Sequence, residues 1–197
     1  SGNVGEDAID FSTSTQQTGT NGATGIRSMA IGSDNLASGD NSFASGVQTK
    51  ATQWGSFATG YLSEAIGTLA TSIGNQNIVS GYAATAYGYK NNVGGHYGFS
   101  SGSQNQINYY YGVTLGIGLI SKTMSTVAVG QTNTDYDTTG MSFMSGLTPM
   151  FIVGNGTLTN AGGAGTNNPD VRSDALIVRR SGKIEAPSLD ISLITDD

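Results

Sequence analysis

Glycine returns every 14 residues through the middle of this 197-residue chain, and that period limits what the chain can fold into. With 30 glycines in the chain, eight chance matches in one register have odds on the order of one in a few hundred thousand. A fixed period is typical of repeat proteins, in which each repeat buries its apolar residues only against its neighbours. The eight glycines are Gly32, Gly46, Gly60, Gly74, Gly88, Gly102, Gly116 and Gly130.

The positions around each glycine repeat with it. The residue three before is mostly apolar or β-branched, the residue two before is small, and the residue five after is small or apolar in six repeats, from Ala37 to Ile107. Each repeat therefore predicts two strands of about four residues, with the glycines at the corners between them, where they supply the positive φ or the close backbone approach that a tight corner needs. Stacked in parallel at ~4.8 Å, the repeats form an all-β solenoid, since no 3.6-residue apolar stripe favours a helix.

The period divides the chain into three parts. Residues 1–24 are rich in Ser, Thr, Gln and Gly and form a lead-in or cap with one short strand signal, AIDFS. Residues 25–138 are the β-roll of eight repeats. Residues 139–197 leave the register and form a short β-rich connector, with strands expected at 150–154, 175–179 and 183–186 and a loop at 160–170. The sequence RSGK predicts a hairpin turn, with Gly182 at the position that needs a positive φ.

A 14-residue coil encloses little core, and its buried candidates are mostly Ala, Ser and Thr. Alone, such a coil buries too little apolar surface to offset the lost chain entropy. The apolar column that contains Phe43, Phe57 and Phe99 is then most economically buried against another chain. We expect a homotrimer, the usual closure of a fibre.

The amino-acid composition argues against several classes of function. Eight Lys and Arg residues cannot form a basic patch, so we expect no nucleic-acid partner. The absence of cysteine excludes thiolate metal sites and disulfides and suits an extracellular or virion surface. No apolar run approaches the roughly 20 residues that span a bilayer, so the chain is not expected to be membrane-embedded.

No set of residues predicts catalysis, and no cofactor is expected. His96 is the only histidine, and it lies in a regular repeat column, so a structural or contact role is favoured over catalysis. Paired carboxylates for glycoside hydrolysis must lie within about 10 Å of each other. The acids of the roll form no such cleft. Asp135 and Asp137 could hold a hard cation, but a polar loop is the favoured interpretation, and no metal site is predicted.

A recurring asparagine, three residues after the glycine, has two interpretations. Asparagine tolerates left-handed corners and hydrogen-bonds its own turn, which is the favoured role. A stack of asparagines could instead hold ions or water on an axis. The asparagines are Asn35, Asn77, Asn91, Asn105 and Asn133.

Aromatic residues gather in the distal half of the roll and are the candidate functional residues. Eight residues after the glycine, one column holds Trp54, Tyr82, His96 and Tyr110. On neighbouring turns Tyr82, His96 and Tyr110 would form a ladder, an amphipathic surface that could stack on sugars or contact protein. The alternative, that these rings lie in the trimer interface, is slightly favoured because aromatics are enriched at interfaces.

Segments such as SMAIGSDNLASGDNSFASGVQTKA and LATSIGNQNIVSG resemble the head repeats of trimeric autotransporter adhesins, with a consensus close to S-x-A-x-G-x-x-x-x-A-x-G. The resemblance covers roughly residues 25 to 138. It implies a left-handed parallel β-roll, three of which pack about a common axis. Similar repeats also occur in phage tail fibres.

The stretch FIVGNGT…RSDALIVRRSGKIEAPSLDIS resembles the segment that precedes C-terminal intramolecular chaperone domains in phage fibres and related bacterial proteins. The two resemblances together imply a phage tail fibre on the virion tail. Its function would be attachment to a host-surface glycan or outer-membrane protein. The alternative is the head domain of a bacterial trimeric adhesin on the cell surface.

Overall fold

A computed structural model describes residues 4–14, 21–136, 145–157 and 172–187. In these ranges the chain forms twenty β-strands and no helix. The strands are β1 (Ile9–Thr13), β2 (Gly22–Ala23), β3 (Met29–Ser33), β4 (Leu36–Ala37), β5 (Phe43–Val47), β6 (Lys50–Ala51), β7 (Phe57–Tyr61), β8 (Glu64–Ala65), β9 (Thr71–Asn75), β10 (Ile78–Val79), β11 (Thr85–Tyr89), β12 (Asn92–Val93), β13 (Phe99–Ser103), β14 (Gln106–Ile107), β15 (Val113–Ile117), β16 (Ile120–Ser121), β17 (Val127–Gln131), β18 (Pro149–Asn155), β19 (Asp174–Arg179) and β20 (Ile184–Glu185).

The repeats stack as a parallel β-solenoid, as predicted. Each turn contributes one strand of five residues and one of two residues, rather than two strands of about four. The long strands form one sheet and the short strands a second sheet of eight strands. Equivalent residues of successive turns pair directly, as Gly88 does with Gly102. The second strand is short because the chain bends immediately before it and turns immediately after it.

The long-strand sheet extends beyond the eight repeats at both ends. Strand β1 pairs in parallel with β3, which confirms the predicted strand near AIDFS. Strand β18 pairs in parallel with β17, and Gly154 lies opposite Gly130 although the 14-residue period has ended. Strands β19 and β20 then add antiparallel. The expected hairpin is present, with Gly182 at φ +83°, whereas the expected loop at 160–170 lies outside the described residues.

The eight periodic glycines lie inside the long strands, at the fourth position, and not at the corners between strands. Their φ values run from +97° to +147°. A Cβ atom on any of them would lie 1.9–2.3 Å from the carbonyl oxygen of the glycine in the next turn. The glycines are therefore required by the close approach of stacked backbones. The left-handed corner two residues later is occupied by other residues, such as Gln76 and Lys90.

The interior of the coil is as thin as the sequence predicts. The small column two before the glycine is fully buried, and the column five after it is buried from Ala37 to Ser121 but exposed at Asp135. Ile107 is the largest side chain of the main core cluster. In contrast, Phe57 and Phe99 on the outer face of the long-strand sheet are 36% and 37% exposed in the single chain. Phe43 stacks on Phe57 with ring centroids 4.9 Å apart. One sheet face thus carries a row of apolar side chains that the chain does not cover by itself.

The repeating asparagines bond to the coil's own backbone. Asn91 is buried, and its amide nitrogen donates to the carbonyl oxygens of Tyr87 and Gly102 at 2.9 and 3.0 Å. Its carbonyl oxygen accepts the backbone N–H of Asn105 at 3.1 Å. Asn35, Asn77 and Asn105 make equivalent bonds to their own and neighbouring turns. This geometry favours the structural role over ion binding, because the amides already bond within the stack.

Candidate binding surface

Tyr82, His96 and Tyr110 lie on three successive turns at the corner between the short and long strands, which brings them together as the 14-residue spacing predicts. The ring centroids of Tyr82 and His96 are 6.4 Å apart, and those of His96 and Tyr110 are 5.0 Å apart. Tyr82 and Tyr110 are 41% and 40% exposed. The rings form a half-exposed row that runs along the stacking direction of the solenoid.

A hydrogen bond fixes the orientation of His96. Its Nδ1 accepts the backbone N–H of Tyr82 at 2.8 Å, so the neutral ring carries its proton on Nε2. Asp40 occupies the same column four turns earlier, and its Oδ1 accepts the backbone N–H of Ile26 at 3.0 Å. At these two positions the side chain of the column bonds a backbone N–H of the preceding turn. At His96 the same bond also holds an imidazole between two tyrosines.

A second aromatic column lies next to the first, and the sequence reasoning did not assign it to the site. Tyr97 and Tyr111 stack with centroids 5.2 Å apart and an interplanar angle of 5°. Tyr97 also meets the edge of Tyr82 at 5.5 Å. Their spacing of 14 residues was a signal that could have revealed them. Both adopt left-handed backbone conformations, with φ of +56° and +58°, which turn the chain at this corner.

A groove of about 650 Å³ lies beside these rings, a volume in the range of small-ligand sites. Its lining includes Gly67, and the same column also holds glycine on the next two turns, at Gly81 and Gly95. A second hollow of about 240 Å³ adjoins His96 and Tyr110. Tyr82, His96, Tyr97 and Tyr110 line the groove together with Gln53, Ile66, Gly67, Thr68 and Ser80.

The groove has no charged lining residue: its polar groups are hydroxyls, one amide and one imidazole. Trp54, the fourth candidate, does not line it. It lies two turns before Tyr82 in the same column, with Thr68 between them, and is 54% exposed. The structure thus groups three of the four candidate residues and leaves Trp54 beside them as a separate exposed ring.

The acidic residues considered for metal or catalysis show other contacts. Asp135 pairs with the Lys122 ammonium at 2.7 Å, and Asp137 lies outside the described residues. Within the described ranges, no group of three His, Asp or Glu side chains could hold a metal ion. The same ranges contain no helix of the length and apolarity that crossing a membrane requires.

The final strands carry a polar cluster that the sequence did not reveal. The Tyr136 hydroxyl donates to Asp174 at 2.5 Å, and the Arg179 guanidinium lies 5.5 Å from the Tyr136 ring. Burial, with the bond to Asp174, raises the pKa of Tyr136 far above its usual range. Hydrogen bonds from Arg179 and Lys183 lower the pKa of Glu185 to about 2. These contacts fasten β19 and β20 to the end of the roll.

Comparison with known proteins supports the class that the fold defines. A family model described as YadA head domain repeat (2 copies) matches residues 23–49, 37–63 and 65–91, about one third of the chain. No curated protein matches the chain. The molecule is an all-β parallel solenoid of about 14-residue repeats that resembles an adhesin-type head, an extracellular surface element.

Proposed function

We propose that this chain is a segment of a homotrimeric phage tail fibre that attaches the virion to a host cell surface without catalysis. The observation that carries the proposal is the long-strand face, which exposes Phe57 and Phe99 on a coil with a core of small residues. A coil with so little interior needs a second source of apolar burial. Three chains that bury this face against one another supply it and make a rod suited to projecting a contact surface.

Trimer formation can be tested by mass. A single chain weighs 20.1 kDa, so the trimer is expected at three times that value in mass photometry or sedimentation. Thr71 and Thr85 occupy the same column as the phenylalanines, so Phe57→Thr with Phe99→Thr keeps residues that the repeat accepts. The double variant should dissociate at concentrations at which the native chain is trimeric. Trp54→Thr, at the corner, is the matched control and should remain trimeric. A native chain that stays at 20.1 kDa would refute the trimer.

A head domain of a bacterial trimeric surface adhesin is the second candidate, and the family match favours it at least as well. The flanking sequence of the full-length protein distinguishes the two. A chaperone domain after Asp197 would support the phage fibre, and a stalk with a membrane anchor would support the adhesin. Under either proposal the contact residues are Trp54, Tyr82, His96 and Tyr110.

Attachment itself is tested by the adsorption of the fluorescently labelled 197-residue chain to a panel of bacterial and animal cells. Saturable adsorption that unlabelled chain displaces supports an attachment function. The absence of saturable adsorption to every cell type would favour a spacer segment. Periodate treatment of the cells, which oxidises sugar diols, and protease treatment separate a glycan receptor from an outer-membrane protein.

A further inference from the structure

We infer that the corner groove at Tyr82, His96 and Tyr110 binds an uncharged oligosaccharide that lies along the fibre direction. This inference rests on the proposed attachment function and specifies the chemistry of its receptor. It also extends the contact surface to Tyr97, Gln53 and Thr68, which belong to other columns or earlier turns.

The lining of the groove selects an uncharged ligand. Its nine residues include no Asp, Glu, Lys or Arg, so the lining has no ammonium or guanidinium group to form an ion pair with a phosphate, a sulfate or a carboxylate. Aromatic faces present apolar area beside polar edges, which suits a sugar ring with its C–H face on one side and hydroxyls around it. The Gln53 amide, the Thr68 and Ser80 hydroxyls and the His96 Nε2–H supply donors and acceptors for those hydroxyls.

The repeat gives the groove its direction. Tyr82, His96 and Tyr110 are spaced by single turns of ~4.8 Å, so the row extends about 10 Å along the stack. The adjacent column holds Gly81 and Gly95 on the turns of Tyr82 and His96, and Tyr109 on the turn of Tyr110. An elongated ligand therefore fits better than a compact one. The hydrogen bond between the Tyr82 N–H and His96 holds the central ring in place before any ligand arrives.

A second copy of the chain fits this groove less well. Stable interfaces bury about 800 Å² on each partner and exclude water at their centre. The groove lining mixes its aromatic rings with the polar side chains of Gln53, Thr68 and Ser80. The long-strand face instead carries Phe43, Phe57 and Phe99 in one column, as an interface between copies requires. The groove and the apolar face occupy different parts of each turn, so both can be used at once.

The columns themselves supply variants that the fold tolerates. Tyr82→Thr places the residue found at Thr68 in that column, and Tyr110→Met places the residue found at Met124. His96→Asp places the residue found at Asp40, which makes the same bond to a backbone N–H, so it removes the ring but keeps the hydrogen bond. Tyr61→Asn, on the long strand, is the matched control, because Asn75 occupies its column.

The test is binding of the 197-residue chain to an array that carries neutral hexose and N-acetylhexosamine oligosaccharides beside sialylated and sulfated ones. We expect binding to neutral oligosaccharides, with Tyr82→Thr plus Tyr110→Met weakening it at least tenfold, about 1.4 kcal/mol. His96→Asp should also weaken it, and Tyr61→Asn should bind as the native chain does. The masses of all variants, measured in parallel, should match that of the native chain.

Several results would overturn the inference. The native chain could prefer charged oligosaccharides, or the groove variants could bind as well as the native chain. The groove variants could also lose the native mass, or the native chain could bind a ten-residue polyproline peptide more tightly than any sugar. Saturable adsorption to cells without binding to any sugar on the array would overturn the sugar inference alone and leave attachment standing. Failure of both adsorption and sugar binding would overturn the attachment function as well.

Discussion

Replacing Gly88 by alanine tests the account of how the turns stack. Gly88 lies inside β11 with φ +115°, and a Cβ atom there would lie 2.0 Å from the carbonyl oxygen of Gly102 in the next turn. Real Cβ contacts essentially never fall below 3.0 Å, so the two turns must separate locally by about 1 Å or the backbone must change conformation. Either response stretches the hydrogen bonds between β11 and β13, and a hydrogen bond lengthened by about 1 Å is largely lost.

The cost has two parts. A residue other than glycine in this region of φ costs about 1–3 kcal/mol. Forcing an extra carbon into a packed stack costs about 1–3 kcal/mol more. The expected loss in the free energy of unfolding is therefore about 2–6 kcal/mol. For a chain of this size, each kcal/mol lowers the melting temperature by about 2–4 °C, so a drop of at least about 4 °C is expected.

The matched control is Gly55→Asn. Gly55 also has a positive φ, +63°, but its column holds Asn41 at φ +56°, and the nearest obstacle to a Cβ is the flexible end of Leu69 at 2.9 Å. This variant should melt within about 1 °C of the native chain or slightly above it. Thermal unfolding is followed by circular dichroism at equal protein concentration. If Gly88→Ala and Gly55→Asn melted alike, the close-approach explanation of the glycine period would be wrong.

Two further predictions concern polar contacts. Asn91→Ala leaves the carbonyl groups of Tyr87 and Gly102 without their amide partner, so it should lower the free energy of unfolding by about 2–4 kcal/mol in denaturant unfolding. A loss below about 1 kcal/mol would show that the asparagine hydrogen bonds do not stabilise the stacked turns. Glu185 has a pKa lowered to about 2, so its ion pair with Arg179 stabilises β19–β20 fully above the ordinary carboxyl range and loses this contribution as pH falls through about 2. Carbon-13 NMR titration should place its midpoint near 2, and a midpoint near 4.5 would show that the pair is not formed.

The sequence predicted the class of fold because the period is visible without knowledge of any contact. It also predicted the thin core, since columns such as that of Ala44 and Ala58 contain only small residues. It misplaced the glycines relative to the strands. A period gives the length of a turn but not the phase of the strand within it, and a positive φ suggests a corner more readily than the interior of a strand. Glycine is needed because the Gly102 carbonyl oxygen lies close to Gly88, and this contact between two turns cannot be read from the period.

One part of the candidate site could also be predicted from the sequence, and the other part could not. The row of Tyr82, His96 and Tyr110 was predictable because equal spacing places the three residues on one line. The groove was not, because its lining residues come from several columns and from five turns, between Gln53 and Tyr110. The cluster of Tyr136 and Asp174 was not predictable either, since 38 residues and no period separate its members.

Some columns of the repeat hold the same kind of residue in nearly every turn, and others vary from turn to turn. This difference indicates where function lies in the coil. The periodic glycine, the small residue two before it and, as far as Ser121, the residue five after it are buried or lie against the next turn, so stacking alone determines them. The column eight after the glycine changes from Asp40 through Trp54 and Tyr82 to Met124, and the fold accepts each of them at an exposed corner. Stacking does not require a ring there. A run of half-exposed aromatics in such a column adds apolar surface to water without adding core, which costs solubility and is typical of a contact surface.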